Sequence, residues 1–147
     1  MTTRIPLLDQ FFHSYADLFN QALRSDEPDI GGIQQSFSSC FIGANPMGVN
    51  CGHNDEEFMK VMLQGFTFYK SVGVTAMEIV SLESSILDDF HQMTKIYWRC
   101  QYTTQKDSTG SIEFENIYFT QTKDGKHQIF AYITGDEQAA WKNVGQI

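Results

Sequence analysis

The chain has 147 residues and a net charge of −8 at neutral pH. This length suits one folding unit with a substantial core, so we expect a single domain over residues 1–147. The acidic residues are spread along the chain without any basic cluster. Nucleic acids and anionic membrane surfaces are therefore disfavoured as partners, because their phosphates bind clustered lysines and arginines.

The N-terminal stretch does not have the pattern of a signal peptide, because Asp9 and His13 interrupt its apolar residues. No window approaches the roughly 20 apolar residues of a membrane span. The three cysteines, Cys40, Cys51 and Cys100, are widely spaced and odd in number, which favours free thiols over a disulfide framework. These features predict a cytoplasmic protein with no membrane contact.

The first third of the chain has helical periodicity. Apolar residues at three- and four-residue steps predict an amphipathic helix over residues 7–24. Pro28 stops this pattern because the residue before a proline disfavours helix. A short helix is predicted at 29–36, and SFSSCFI at 36–42 is a candidate strand.

The stretch FIGANPMGVNCGHNDEEFM, residues 41–59, begins like the end of a strand and finishes like the start of a helix. The turn-forming residues between these two ends predict a connecting loop. Asn54 precedes three acidic residues, a pattern typical of a helix N-terminus with Asn54 as the cap. Apolar residues at four-residue spacing continue the helix until Gly73 ends it.

The remaining chain is mostly strand. Four segments rich in β-branched and aromatic residues lie at 74–83, 92–105, 111–123 and 127–134. Turn residues at 107–110 and 123–126 predict hairpins, the second of type I′, and residues 136–143 predict a last short helix. The order of elements predicts an α+β fold in which helices cover one face of a curved antiparallel sheet.

The strands have two distinguishable faces. Period-2 alternation puts Trp98 and Phe114 on the side that we assign to the helices. The opposite side carries Tyr97, Ile117 and Phe119, which makes it too apolar for a fully hydrated surface. A homodimer formed through this outer face is therefore a reasonable hypothesis.

The stretches FNQAL before an acidic turn, FSSCFIGANP and ENIYFTQTKDGKHQIFAY, together with the element order, carry a resemblance. The chain resembles the nuclear-transport-factor-2-like superfamily, which includes SnoaL-like cyclases and steroid delta-isomerases. The resemblance covers nearly the whole chain and implies a cone-shaped fold, with N-terminal helices packed on a curved sheet around a pocket.

The steroid isomerases use a Tyr, a general-base Asp and a protonated Asp. By local pattern these positions fall on Phe19, Asn45 and Asn116 of this chain, none of which can replace the acid or the base. Tyr15 lies one turn before Phe19 and is an alternative source of a hydroxyl. The resemblance thus implies the cavity without that acid–base set.

From this resemblance we expect a small, mostly apolar organic molecule as the ligand, and no cofactor. The expected walls are Phe19, Phe58, Met62, Trp98 and Tyr118. The expected hydrogen-bonding groups are Tyr15, Asn45 and Asn116. For Asn45, two interpretations remain open: Gly43, Asn45 and Pro46 line the mouth of the cone, or they only form a turn.

Two other functions remain alternatives. A cyclase, isomerase or dehydratase of the same superfamily would use Tyr15, His13 or His53 as its proton carrier. A non-catalytic interaction module would use the outer sheet face. A metal site is not expected, because Cys51 and His53, with Cys40 nearby in sequence, form an incomplete ligand set.

Overall fold

The computed structural model describes residues 2–3 and 6–147, with side chains from residue 7 onward. In chain order the elements are β1 (Thr2–Thr3), α1 (Pro6–Arg24), α2 (Ile30–Gln35), β2 (Phe37–Asn45), β3 (Gly48–His53), α3 (Glu56–Ser71), β4 (Val74–Ile86), β5 (His91–Thr103), β6 (Thr109–Lys123), β7 (Lys126–Ile133) and α4 (Glu137–Asn143). The predicted helices and the four long strands are all present.

The strands of the described chain form one sheet in the order β1-β4-β5-β6-β7-β2-β3. All neighbours are antiparallel except β2 and β7, which run parallel. Register shifts between Ile79 and Ser81 and between Phe119 and Thr120 are bulges, which bend strands and increase their twist. The predicted α+β architecture, a curved and mostly antiparallel sheet with helices on its concave side, is confirmed.

The predicted division of the strand faces is correct. On β5, Trp98 is 2% exposed, and Ile96 and Cys100 are fully buried under the helices. Tyr97, on the opposite face, is 42% exposed. The alternation arises because successive side chains of a strand point to opposite sides of the sheet.

Helix α1 lies against the concave face and is fixed there by aromatic and polar contacts. The rings of Phe12 and Tyr15 lie 5.3 and 6.2 Å from the ring of Tyr118 on β6. Further along the helix, Asn20 donates to the Met77 carbonyl at 2.9 Å and accepts from the Met77 N–H at 2.8 Å. This pair of hydrogen bonds fixes the position of α1 along β4.

The prediction that only a loop connects the strand ending near residue 42 to the helix beginning after Asn54 was wrong. β2 extends to Asn45, and β3 pairs with it antiparallel as an edge strand. The turn between them is closed by a hydrogen bond from the Met47 N–H to the Asn45 side-chain oxygen at 2.8 Å, and Gly48 has a φ of 146°. β3 is almost wholly exposed, so it lacks the apolar alternation that reveals a strand in sequence.

The N-cap of α3 is Asp55 rather than the predicted Asn54. The Asp55 carboxylate accepts a hydrogen bond from the Phe58 N–H at 3.1 Å. Asn54 instead donates from its side chain to the Gln34 and Phe37 carbonyls, at 2.7 and 3.1 Å. It therefore ties the start of α3 to α2 and β2.

The predicted type I′ turn between β6 and β7 is confirmed. Asp124 and Gly125 have φ angles of 53° and 77°, the pair of positive values that this turn requires. The last helix also begins as predicted, with Asp136 as its cap accepting from the Ala139 N–H at 3.0 Å. Within the described residues, no helix combines the length and apolarity needed to cross a membrane.

Candidate ligand-binding cavity

A cavity of about 440 Å³ lies between the concave face of the sheet and helices α1, α3 and α4. Most of its lining residues are buried or half-buried, but Val61 on α3 is 59% exposed. Gly135 and Asp136, in the connection from β7 to α4, are exposed as well. The cavity therefore opens to solvent between α3 and this connection.

Aromatic rings and methionines form most of the cavity wall. Phe19 of α1 packs edge-on against Phe66 of α3, with ring centroids 4.9 Å apart. Phe58, near the start of α3, packs in the same way against Phe37 of β2 at 5.1 Å. Such rigid apolar walls favour a ligand with an apolar body, because contact with them removes apolar surface from water.

A hydrogen-bonded group lies on the sheet side of the cavity. The Tyr118 hydroxyl accepts from the Trp98 ring N–H and from the Asn116 side-chain N–H, both at 3.2 Å. Burial raises the pKa of Tyr118 to about 12, although these two hydrogen bonds oppose the shift. Tyr118 therefore stays neutral at physiological pH and keeps its own proton to donate.

Tyr15 adds a second hydroxyl from α1. Burial raises its pKa well above the ordinary value of a phenol, and the neighbouring hydroxyls of Tyr118 and Tyr132 add to the shift. Tyr15 is thus a neutral hydrogen-bonding group and a poor proton carrier near neutral pH.

A carboxylate and a phenol meet on the opposite side of the cavity. The Tyr69 hydroxyl of α3 donates to Glu137 of α4 at 2.7 Å, and both residues line the cavity. Burial raises the pKa of Glu137, while the hydrogen bond from Tyr69 and the proximity of the Trp141 indole N–H oppose this shift. The Trp141 Nε1–H forms no hydrogen bond of normal geometry within the described chain. Burial, and then the charge of Glu137, raise the pKa of Tyr69 well above its ordinary value.

Seven of the eight predicted site residues line the cavity. They are Tyr15, Phe19, Phe58, Met62, Trp98, Asn116 and Tyr118. Asn45 does not line it: this residue is exposed and its side chain closes the turn between β2 and β3. Of the two interpretations of residues 43–46, the structure supports the turn. β2 continues to Asn45 and pairs with β3 in an edge hairpin, while the mouth of the cavity lies between α3 and the connection from β7 to α4.

The two histidines considered as proton carriers lie outside the cavity. His13 is exposed on α1, and His53 is exposed at the end of β3. The residues that sequence reasoning missed are Glu137 and Tyr69. Glu137 fitted the pattern of the first turn of a helix, and Tyr69 fitted an apolar helical series. Neither pattern indicated that these residues, 68 positions apart, would be in contact.

The cysteines form no site with the histidines in the described part of the chain. Cys40 lies opposite His53 across the β2–β3 hairpin, and both are exposed, as is Cys51. Cys100 is buried in β5, where burial raises the pKa of its thiol to about 12. No group of three or more metal-ligating side chains is present among the described residues.

Residues 8–137 match the family described as NTF2-like protein (DUF6841). The chain belongs to the NTF2-like family. The predicted superfamily is therefore confirmed, and a search among curated proteins finds no match.

Several solved structures share the NTF2-like fold. Aln2 from a Streptomyces species is similar with a TM-score of 0.67 at 12% identity, over 92% of each chain. A ketosteroid isomerase-like protein from Erwinia carotovora atroseptica has a TM-score of 0.62 at 16% identity, over 88% of this chain and 93% of its own. The association domain of C. elegans CaMKII has a TM-score of 0.64 at 9% identity, over 86% of this chain and 90% of its own. Identities this low show the fold alone.

Proposed function

We propose that this NTF2-like protein binds a small, largely apolar organic molecule in the cavity of the cone. The observation that carries the proposal is the cavity itself: about 440 Å³ with aromatic walls and few polar groups. Cavities of this size and composition are typical of small-molecule sites, in which apolar contact provides affinity and a few polar groups provide orientation.

The Tyr118 hydroxyl is a polar group that could orient the ligand from the sheet side. It already accepts two hydrogen bonds, from Trp98 and Asn116, so its remaining capacity is that of a donor. A ligand oxygen or nitrogen that accepts from Tyr118 would satisfy this buried donor. A ligand lacking such an acceptor would leave it unpaired, at a cost of about 1–3 kcal/mol.

Gly65 provides a direct test, because it lines the cavity and a Cβ at this position would have no atom within 4 Å. The change Gly65→Leu should place a side chain in the cavity, and it also replaces the weak helix former glycine within α3. We expect the wild-type protein to bind the neutral dye Nile red with increased emission, and Gly65→Leu to lose at least ten-fold in affinity.

Gln64→Leu is the matched control, since it adds the same side chain at the neighbouring, exposed position of α3. It should bind the dye as the wild type does. Equal binding by all three proteins would place the dye on an outer surface and contradict the proposal. Native mass spectrometry of the purified protein, followed by extraction, would then identify any compound that wild type retains and Gly65→Leu does not.

A second candidate function, association into a homodimer, is favoured by the outer face of the sheet. Ile42 is 47% exposed and Ile133 is 42% exposed, and both lie on the same side as Tyr97. Ile117 and Phe119 lie between them on β6, so the apolar surface continues across several strands. One of the similar structures is an association domain, although the low identity transfers only its fold.

A further inference from the structure

The cavity carries a negative charge that its described surroundings do not balance. Glu137 is a carboxylic side chain of the cavity wall and lies inside the mouth. No described residue forms a salt bridge with it. Among the lining residues of the described chain there is no Lys, Arg or His. A half-buried carboxylate without a cation is costly, because burial weakens its hydration.

The Tyr69 hydroxyl compensates this cost only in part. It donates one hydrogen bond, at 2.7 Å, to one oxygen of the carboxylate and carries no charge itself. The pKa of Glu137 remains raised by burial despite this bond. The carboxylate is thus oriented by Tyr69 and still available to a positively charged partner within the cavity.

The other acidic residue at the mouth already has a structural role. Asp136 is exposed, and its carboxylate caps α4 by accepting from the Ala139 N–H at 3.0 Å. An anionic ligand is therefore disfavoured at the start of α4, because Asp136 and Glu137 already place negative charge beside the backbone N–H groups there. A carboxylate or phosphate ligand would meet only like charge here.

We propose that the ligand class of this cavity is an apolar molecule bearing a protonated amine, with Glu137 as its counter-ion and Tyr69 as the residue that positions Glu137. The inference rests on the proposed ligand-binding function of the same cavity. Its aromatic walls suit such a ligand, because aromatic faces attract alkylammonium groups as well as apolar carbon. A paired ammonium would also offset the desolvation of the carboxylate.

Three probes of matched size separate charge from shape: 4-phenylbutylamine, 4-phenylbutan-1-ol and 4-phenylbutyrate, each measured by isothermal titration calorimetry at pH 7. We expect the amine to bind the wild type at least ten-fold more tightly than the alcohol, and the carboxylate to bind most weakly. Glu137→Gln should weaken amine binding about ten-fold and leave alcohol binding within about two-fold.

Glu83→Gln is the control, because it removes an exposed carboxylate from the outer face of β4 and should change none of the three affinities. Equal binding of amine and alcohol by the wild type would overturn the inference and leave the apolar-ligand proposal intact. Unchanged amine preference in Glu137→Gln would also overturn it. Binding of none of the three probes would overturn the inference, while the Nile red comparison of wild type with Gly65→Leu decides the proposed function separately. If Glu137→Gln fails to fold, the wild-type comparison of amine with alcohol decides alone.

Discussion

Single residues determine the chemistry of this cavity. Phe19 and Asn116, which the resemblance to steroid isomerases assigned to the oxyanion-stabilising positions, line the cavity, whereas Asn45, assigned to the general-base position, lies outside it. The polar groups of the cavity include the phenols of Tyr15, Tyr69 and Tyr118 and the carboxylate of Glu137. These groups support the proposed recognition of a ligand by hydrogen bonds and charge.

The raised pKa of Glu137 predicts a pH-dependent effect on stability. A carboxyl whose pKa is raised in the folded state stabilises the protein below its ordinary pKa, about 4.3. This contribution is lost as the pH rises through the raised value, because ionisation then opposes burial. We expect Glu137→Gln to increase the free energy of unfolding relative to wild type at pH 7, and much less at pH 4, in urea titrations.

The groups whose pKa Glu137 influences do not obscure this test. Burial raises the pKa values of Cys100 and Tyr118 to about 12 and that of Tyr69 well above its ordinary value, so none of them titrates between pH 4 and pH 7. Glu83→Gln, on the exposed outer face, controls for the loss of one negative charge. The same stability difference at both pH values would contradict this account of Glu137.

At the scale of secondary-structure elements, the cavity depends on where helices attach to the sheet. α1 is fixed on β4 by Asn20, whose side chain occupies both backbone groups of Met77. Tyr15 and Phe19 reach the cavity from the same helix. The hydrogen bonds of Asn20, which does not itself line the cavity, thus help to position two of its wall residues.

Removing this attachment should be costly. Asn20→Ala leaves a backbone N–H and a carbonyl of the buried Met77 without their partner, which costs about 1–3 kcal/mol of unfolding free energy. Ser14→Ala, on the exposed side of α1, should change it by no more than about 0.5 kcal/mol. Urea denaturation of both variants tests this. Equal midpoints would show that the aromatic contacts of α1 suffice.

At the scale of the whole molecule, the curved sheet separates two surfaces with different roles. Its concave face encloses the cavity, while its outer face exposes Tyr97 and Ile133. Apolar surface on the outside of a sheet is typical of an interface, because it gains stability only when a partner covers it. The two faces can therefore be tested independently.

The outer face gives a prediction about assembly. If it forms a homodimer, Ile133→Lys places a charge in the interface and should produce a monomer, measured by size-exclusion chromatography with light scattering. Leu7→Lys, at a position 67% exposed on α1, should leave the dimer intact. A monomeric wild type, or a dimer that survives Ile133→Lys, would contradict association through this face. Nile red binding should be unchanged in both variants.

The sequence by itself determined the helices, the four long strands and the division of their faces, because these depend on periodicities within each segment. Trp98 and Tyr97 could be assigned to opposite faces from alternation alone. Seven cavity residues could be predicted because the resemblance supplied the cone and the apolar periodicity supplied its inner face.

Only the tertiary structure decided the β2–β3 hairpin, the place of the mouth and the pair of Glu137 with Tyr69. β3 is an exposed edge strand that pairs with β2 through backbone hydrogen bonds. Such pairing does not require the alternation of apolar side chains by which a strand is recognised in sequence. Asn45 closes a turn because β2 continues past the cavity. Glu137 and Tyr69 meet because the end of β7 brings α4 against α3 across 68 residues, a proximity that no local periodicity encodes.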